Sequence, residues 1–388
     1  MIHSKSRLPQ GFSCLSKNCG IKQDGSPDLA LFYSEQPCSA AAVFTRNQVP
    51  GAPVIVGREL ISKGSLQAIV VNSKVSNVGT GQEGVANARR MGVAAAQELG
   101  LETSEVLMSS TGVIAVQLPI EKIEEGLQGC KASLQTDPIQ GAEGIMTTDT
   151  YAKAASISVG DATITIIGKG SGMIEPNMAT MLVYIFTDAE IKAADLDRLL
   201  RRSVNKTFNM LSVDTDTSTS DTCVLMANGR AGKVDEDNFA TALDTVCIKM
   251  TEMMARDGEG ATKLLRAEVS GAANDKEARI YAKAMINSPL IKTMAFGADP
   301  NIGRMLMALG KCFDNQFDLQ SLKLSINNTP IYANANKLNY DEEQLRKEIS
   351  GDPVIFQIDM GINDGNAIAY GCDLTHGYVD ENAAYYSS

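Results

Sequence analysis

From Gly168 the chain reads Gly-Lys-Gly-Ser-Gly-Met-Ile-Glu-Pro-Asn-Met-Ala-Thr-Met-Leu, ending at Leu182. This glycine-rich loop lies between two apolar, β-branched runs, residues 163–167 and 181–187, that read as strands. Its glycines reach backbone angles closed to other residues, and Pro176 stiffens the exit. Thr180 then interrupts the apolar run 178–186 with a single hydroxyl on a β-branched side chain at the mouth of a strand. Two readings stand for it: a buried strand threonine bonded to a carbonyl, or a nucleophile.

Histidine count narrows the chemistry. The chain holds only His3 and His376, so a Ser-His-Asp or Cys-His mechanism uses His376 or none, and a histidine-rich metal centre is excluded. An acyl-transfer enzyme built on this sequence needs another base. A cut before Thr180 would supply one: a free α-amino group titrates at roughly 7.7–8.0 and can serve its own hydroxyl.

At 388 residues the chain exceeds the roughly 250–300 at which one core stops growing, so two packed halves are expected. A net charge of −11, with no Lys/Arg run longer than two, argues against nucleic acid and anionic membranes as partners. The eight cysteines contain no C-x-x-C pair and several sit in apolar settings, as suits reduced, buried thiols in the cytoplasm or an organelle matrix. No apolar stretch approaches the roughly 18 residues of a membrane span, and the N-terminus lacks an apolar signal core, so a soluble, cytoplasmic protein is expected.

Strands and helices alternate without a strict βαβ period. Residues 67–72 read as a buried strand, and Val85, Ala88, Met91, Ala95 and Leu99 mark one face of a helix stopped by Gly100. Pro119 opens a short helix through Ile120, Ile123 and Leu127, while 196–204 and 239–254 are amphipathic. Further strands are expected at 322–326 and 354–358, separated by a charged helix at 341–349. The clearest break is the glycine loop.

Four clusters could carry chemistry, and each has an ordinary structural reading. Thr111-Gly112 follows an apolar run; a hydroxyl beside a glycine N–H can aim two donors at one oxyanion, or simply turn at a strand end. Residues 146–150, Met-Thr-Thr-Asp-Thr, suit a cap or turn. Glu259 stands between Gly258 and Gly260 and is either presented by a tight turn or placed in the first turn of a helix. The acidic run 214–221 lacks the glycine and final glutamate of an EF-hand, so it reads as a side-chain-capped loop and not as a metal site. The spacing of Gly168, Gly170 and Gly172 is neither a Rossmann fingerprint nor a P-loop.

The run Gly-Ser-Gly-Met-Ile-Glu-Pro-Asn-Met-Ala-Thr-Met-Leu, together with Gly11-Phe12, Ala42-Val43-Phe44-Thr45-Arg46 and Gly371-Cys372-Asp373-Leu374-Thr375, resembles the ornithine acetyltransferase (glutamate N-acetyltransferase) family over nearly the whole chain. The resemblance implies self-cleavage at Ala179-Thr180 into pieces 1–179 and 180–388. Thr180 becomes the nucleophile, and Thr111 and Gly112 hold the oxyanion. It implies substrate contacts from Thr147 (or its neighbour Thr148), Lys169, Thr180, Glu259, Asn382 and Ser387 (or Ser388). The implied reaction moves acetyl from N-acetylornithine to glutamate in arginine biosynthesis, through an acetyl-Thr180 ester, with no cofactor and no metal. Acetyl-CoA is admitted as a second donor, although no segment reads as a CoA site. The implied fold is a layered α/β sandwich of the ornithine acetyltransferase and self-cleaving aminopeptidase type, its two interleaved halves paired as a dimer of heterodimers.

Residues 72–77, Thr215 and Ile302 depart from the family's usual pattern, which bears on pathway and substrate breadth. Two rivals remain: a self-processed aminopeptidase or amidase on the related fold, for which serine at 180 would be the better nucleophile, and an unprocessed, non-catalytic binding protein.

Overall fold

The computed structural model describes residues 2–175 and 181–383. They fall into two compact units. The first is built from residues 1–170, 176–209 and 217–250, the second from 171–175, 210–216 and 251–388.

In chain order the strands begin with β1 (Phe12–Lys17), β2 (Leu29–Phe44), β3 (Ser65–Asn72), β4 (Val106–Ser110), β5 (Lys153–Val159), β6 (Ala162–Lys169) and β7 (Leu182–Ala189). After the short β8 (Leu211–Ser212) comes β9 (Thr222–Gly232). All but β8 form the sheet of the first unit, in the order β4-β3-β2-β9-β7-β6-β5, with β1 also on β2. Strands β6 and β7 pair antiparallel with Lys169 opposite Leu182, so the glycine loop leaves and re-enters at adjacent strand ends. Strands β9 and β7, from beyond residue 180, lie between β2 and β6, from before it. The two stretches of chain are interleaved in one sheet.

Strand β2 is sixteen residues long and changes register between Tyr33 and Cys38. Its first half pairs with β1 and β3 and its second with β9. The sheet therefore folds back on itself, and rings from its two arms meet: Phe12 to Phe186 at 5.2 Å, Phe32 to Tyr184 at 5.2 Å and Phe32 to Phe186 at 5.4 Å. These tilted contacts are the arrangement aromatic quadrupoles favour. Helices Gly81–Leu99 and Ile120–Leu127 cover the other face of β3 and β4 through Ala88, Met91, Ala95, Leu99, Ile123 and Leu127. Burial on both faces matches the apolar runs 68–71 in β3 and 182–186 in β7, while β6 is buried along its whole length with Thr163 and Thr165 alternating with Ile164 and Ile166. Gly100 ends the long helix in the left-handed region at φ 75°, as its place in the sequence predicts.

The second unit contains β8 and six further strands: β10 (Leu264–Ala272), β11 (Lys323–Ile326), β12 (Thr329–Ala333), β13 (Asn336–Lys337), β14 (Val354–Asp359) and β15 (Gly365–Cys372). Their order is β13-β12-β11-β14-β10-β15-β8, parallel and antiparallel pairs mixed. Helices Asp275–Ile286, Pro289–Phe296, Ile302–Gly310 and Glu342–Ile349 supply its core, including Tyr281, Met285, Met294, Met305 and Leu345. Lys263, at the foot of β10, sends its ammonium to the carbonyls of Ala295 and Ile349 at 2.6 and 2.9 Å. A cation there complements two helix C-termini. Burial pushes its pKa down, with Asp373 opposing. The Asp373 carboxylate accepts the backbone N–H of Thr262 and Lys263 at 2.8 and 3.0 Å, which fixes the loop carrying Glu259.

All eight cysteines are free and six are buried. Burial pushes Cys14, Cys38 and Cys247 up to about 12, so these thiols are inert filler. Among the described residues, no helix is long and apolar enough to cross a membrane.

Candidate active site

In the first unit, β4 ends at Ser110, and the chain turns through Thr111 and Gly112 against the loop that follows β3. The Thr111 N–H donates to Asn72 O at 3.1 Å, Val113 N–H to Lys74 O at 2.9 Å and Ser76 N–H to Val113 O at 3.0 Å. The Ser110 hydroxyl donates to Asn72 Oδ1 at 2.5 Å, while Asn72 Nδ2 closes its own loop on Val75 O at 2.8 Å. These bonds spend the amides on either side of Gly112 but not its own, for which no partner occurs among the described residues. Gly112 sits at φ 126°, and a Cβ there would meet the Lys74 carbonyl carbon at 2.2 Å. Only glycine fits.

Lys169, the last residue of β6, sends Nζ to Thr111 Oγ1 at 3.4 Å. An ammonium donating to a hydroxyl oxygen polarises that hydroxyl and strengthens its own O–H as a donor. Thr111 and Lys169 are both buried. Thr111 O–H and Gly112 N–H then form a two-donor turn with a cation behind it, the arrangement a developing oxyanion requires.

Asp149 ties this corner together. Its side chain is fully buried; Oδ1 accepts Lys153 Nζ at 2.6 Å and Gly170 N–H at 2.8 Å, and Oδ2 accepts Thr147 N–H at 3.0 Å. Burial alone would raise its pKa, but the charges of Lys169 and Lys153 and the donated hydrogen bonds outweigh it, leaving the carboxyl below its usual range. One carboxylate thus fixes the backbone of Thr147 and of the residue after Lys169. Sequence reasoning read 146–150 as a turn cluster and named Thr147, without singling out Asp149.

In the second unit, the Glu259 loop follows the helix Glu236–Arg256 and precedes β10. The helix-start reading fails, because Glu259 stands beyond a helix C-terminus. Its carboxylate is buried against Gly172, where a Cβ would lie 2.2 Å from the carboxyl carbon, and its N–H donates to Ser171 O at 2.9 Å. Asn382 Nδ2 donates to Glu259 Oε2 at 2.7 Å. Gly260 turns at φ 64° with no room for a Cβ beside Tyr378 N, and its N–H donates to Glu381 Oε1 at 3.0 Å. Burial, then the neighbouring Glu259 and Asp257, raise the Glu381 pKa against that bond. Such a carboxylate cluster is receptive to an ammonium group.

The acidic run begins as a capped loop: Asp214 accepts the N–H groups of Met173, Ile174 and Asp216 at 2.6, 2.8 and 3.2 Å. Burial raises its pKa, with the three N–H groups opposing. Among the described residues, no cluster of three His, Cys, Asp or Glu could hold a metal. Ala179, Thr180, Ser387 and Ser388 lie outside the described residues. The structure brings Thr111, Gly112, Lys169 and Thr147 into one corner of the first unit, and Glu259 and Asn382 into one corner of the second.

A hydroxyl and a glycine N–H on one turn, backed by a lysine on a layered α/β fold, suit the chemistry of acyl transfer. The chain belongs to the ArgJ family, whose pattern matches residues 13–387. It is 44% identical over 383 residues to the arginine biosynthesis bifunctional protein ArgJ 2 of Clostridium acetobutylicum, covering 97% of this chain and 98% of the relative. It is 42% identical over 395 residues to the glutamate N-acetyltransferase Oat2 of Streptomyces clavuligerus, covering 99% and 100%. Among solved structures it resembles the arginine biosynthesis bifunctional protein argJ of Bacillus halodurans, with TM-score 0.50 and 38% identity over 52% of this chain and 98% of that one.

Proposed function

We propose that this enzyme transfers acetyl from N-acetylornithine to glutamate in arginine biosynthesis, after cutting itself at Ala179-Thr180. The observation that carries the reading is the Lys169–Thr111 contact beside the unspent Gly112 N–H, in a chain whose relatives include a named glutamate N-acetyltransferase. Thr180 attacks the acetyl carbonyl, Thr111 and Gly112 hold the oxyanion, and the freed α-amine of Thr180 moves the proton to the departing ornithine. Glutamate then takes the acetyl from the Thr180 ester. Lys169 and Thr147 face substrate carboxylate, Glu259 and Asn382 the free ammonium of the donor, and Ser387 completes the substrate set.

Self-cleavage is supported by length: the Bacillus halodurans chain is matched over 98% of itself by only 52% of this one, as expected of one of two pieces. The pieces stay together, a reading that the interleaved strand order of the first sheet supports, and pair as a dimer of heterodimers in the cytoplasm. No cofactor takes part, since the enzyme itself carries the acetyl group; acetyl-CoA is a second donor to be assayed.

The test is a mass measurement. Wild type should give fragments beginning at Met1 and Thr180, and Thr180→Ala should stay whole, with kcat down at least roughly 10⁴-fold. N-acetylornithine alone should leave one acetyl on the second fragment, discharged by glutamate, with parallel double-reciprocal plots. Rapid acetate release without glutamate would replace transferase with amidase. An uncut, inactive wild type would leave a binding protein.

A further inference from the structure

Just before the undescribed stretch 176–180, the chain is held with unusual density. Met173 occupies the left-handed region at φ 53°, a conformation that costs a side-chain-bearing residue of order 1–3 kcal/mol and persists only when its surroundings impose it. They do so here. Asp214 takes the N–H groups of Met173 and Ile174, Val213 N–H donates to Ile174 O at 2.8 Å, and Glu175 N–H donates to Asp216 O at 3.0 Å.

Glu175 adds a side-chain anchor. Oε2 accepts the Ser212 hydroxyl at 2.6 Å, and Oε1 accepts Asn287 Nδ2 at 2.9 Å and Lys283 Nζ at 3.1 Å. Lys283 also caps Leu211 O at 2.9 Å. Burial lowers its pKa, while Glu175 opposes the shift. Two separate stretches of the second unit, at residue 212 and at the C-terminal end of the helix Asp275–Ile286, converge on one carboxylate through three side chains. A loop that only had to remain soluble would need none of them.

We propose that Glu175 is a positioning residue for the self-cleavage itself. Through Ser212, Lys283 and Asn287, and with Asp214 upstream, it fixes the place and direction from which the chain enters the Ala179-Thr180 bond. The inference rests on the cleavage proposed above. In that reaction Thr180 Oγ adds to the Ala179 carbonyl carbon, and the C–N bond breaks as the hydroxyl proton passes to the departing amine. Water then hydrolyses the resulting ester to the Ala179 carboxylate and the Thr180 hydroxyl. Attack of a side chain on its own preceding carbonyl demands an eclipsed, narrowly defined approach, and a fixed upstream end removes the alternatives.

The experiment follows appearance of the fragment beginning at Thr180 in freshly synthesised full-length chain, by intact mass and denaturing gel over time. Losing three hydrogen bonds, one of them ionic, in Glu175→Ala should slow the cut about tenfold to a hundredfold. Ser212→Ala should slow it a few-fold. Glu175→Gln should fall between, since it keeps the shape and loses the charge. Melting temperatures of the chains, each made uncuttable by Thr180→Ala, show that folding is not the cause. If Glu175→Ala does not fold, the graded pair Glu175→Gln and Ser212→Ala carries the test. Cleavage of these variants at the wild-type rate overturns the positioning role. A wild type that never cuts overturns instead the reading on which the role rests.

Discussion

Asp149 in the first unit and Glu381 in the second are carboxylates that accept backbone N–H groups from loops proposed to contact substrate, and they are tuned in opposite directions. Asp149 is enclosed with two lysines and two backbone N–H groups, so its charge is over-compensated and its pKa falls. Glu381 has one backbone N–H and two acidic neighbours, and its pKa rises. The lesson is one of surplus: the Thr111–Lys169 corner keeps net positive charge after its carboxylate is counted, while the Glu259 corner keeps net negative charge after Asn382 is counted. The first suits an oxyanion or carboxylate, the second an ammonium.

The largest expected effect breaks the first corner. Thr111→Ala should lower kcat by roughly 10²–10³ with KM nearly unchanged, the usual loss for one oxyanion donor; fragment analysis must first show complete cleavage, and a change in KM alone would contradict the role.

The two units are then set against each other by charge removal. Lys169→Met should raise KM for both carboxylate-bearing substrates about tenfold or more. Glu259→Gln should raise it about tenfold for N-acetylornithine and less than threefold for glutamate, as measured in separate half-reactions. Equal effects of Glu259→Gln on both substrates would erase the proposed division of labour.

The smallest effect follows pH. Because its folded pKa is raised, Glu381 contributes stability that is present below the ordinary carboxylate range and lost as pH rises through the raised value. Asp149 does the reverse: its contribution is present above that range and lost as pH falls through its depressed value. Protonating Glu381 should weaken the cationic donor two- to threefold, about the worth of an exposed ion pair. KM for N-acetylornithine should therefore climb as pH falls through the raised Glu381 pKa, and Glu381→Gln should flatten the climb.

Periodicity in the sequence locates the elements well, because β3 and β7 carry the apolar runs 68–71 and 182–186 and the long helix writes its face through Val85 to Leu99. What it does not reveal is the fold-over of the first sheet. That follows from a register change within β2, and it brings Lys169 to Thr111 across 58 residues of chain. Asp149 is invisible for the same reason, since Gly170 is 21 positions away and nothing local marks that bond. The Ser212–Glu175–Lys283–Asn287 cluster is likewise assembled from distant stretches. Glu259 was half legible: two glycines signal a turn, and the preceding helix decides that the turn lies after a helix and not at the start of one.

The atoms nearest a Cβ at Gly112 are all main-chain atoms of Lys74, its Cα, carbonyl carbon and oxygen. At position 74 the turn reads the path of the neighbouring loop, while at position 72 it reads a side chain as well, since Asn72 Oδ1 accepts the Ser110 hydroxyl. The side chain at position 74 can therefore change without altering this contact, so long as position 112 stays glycine and position 74 keeps its left-handed bend, φ 80°.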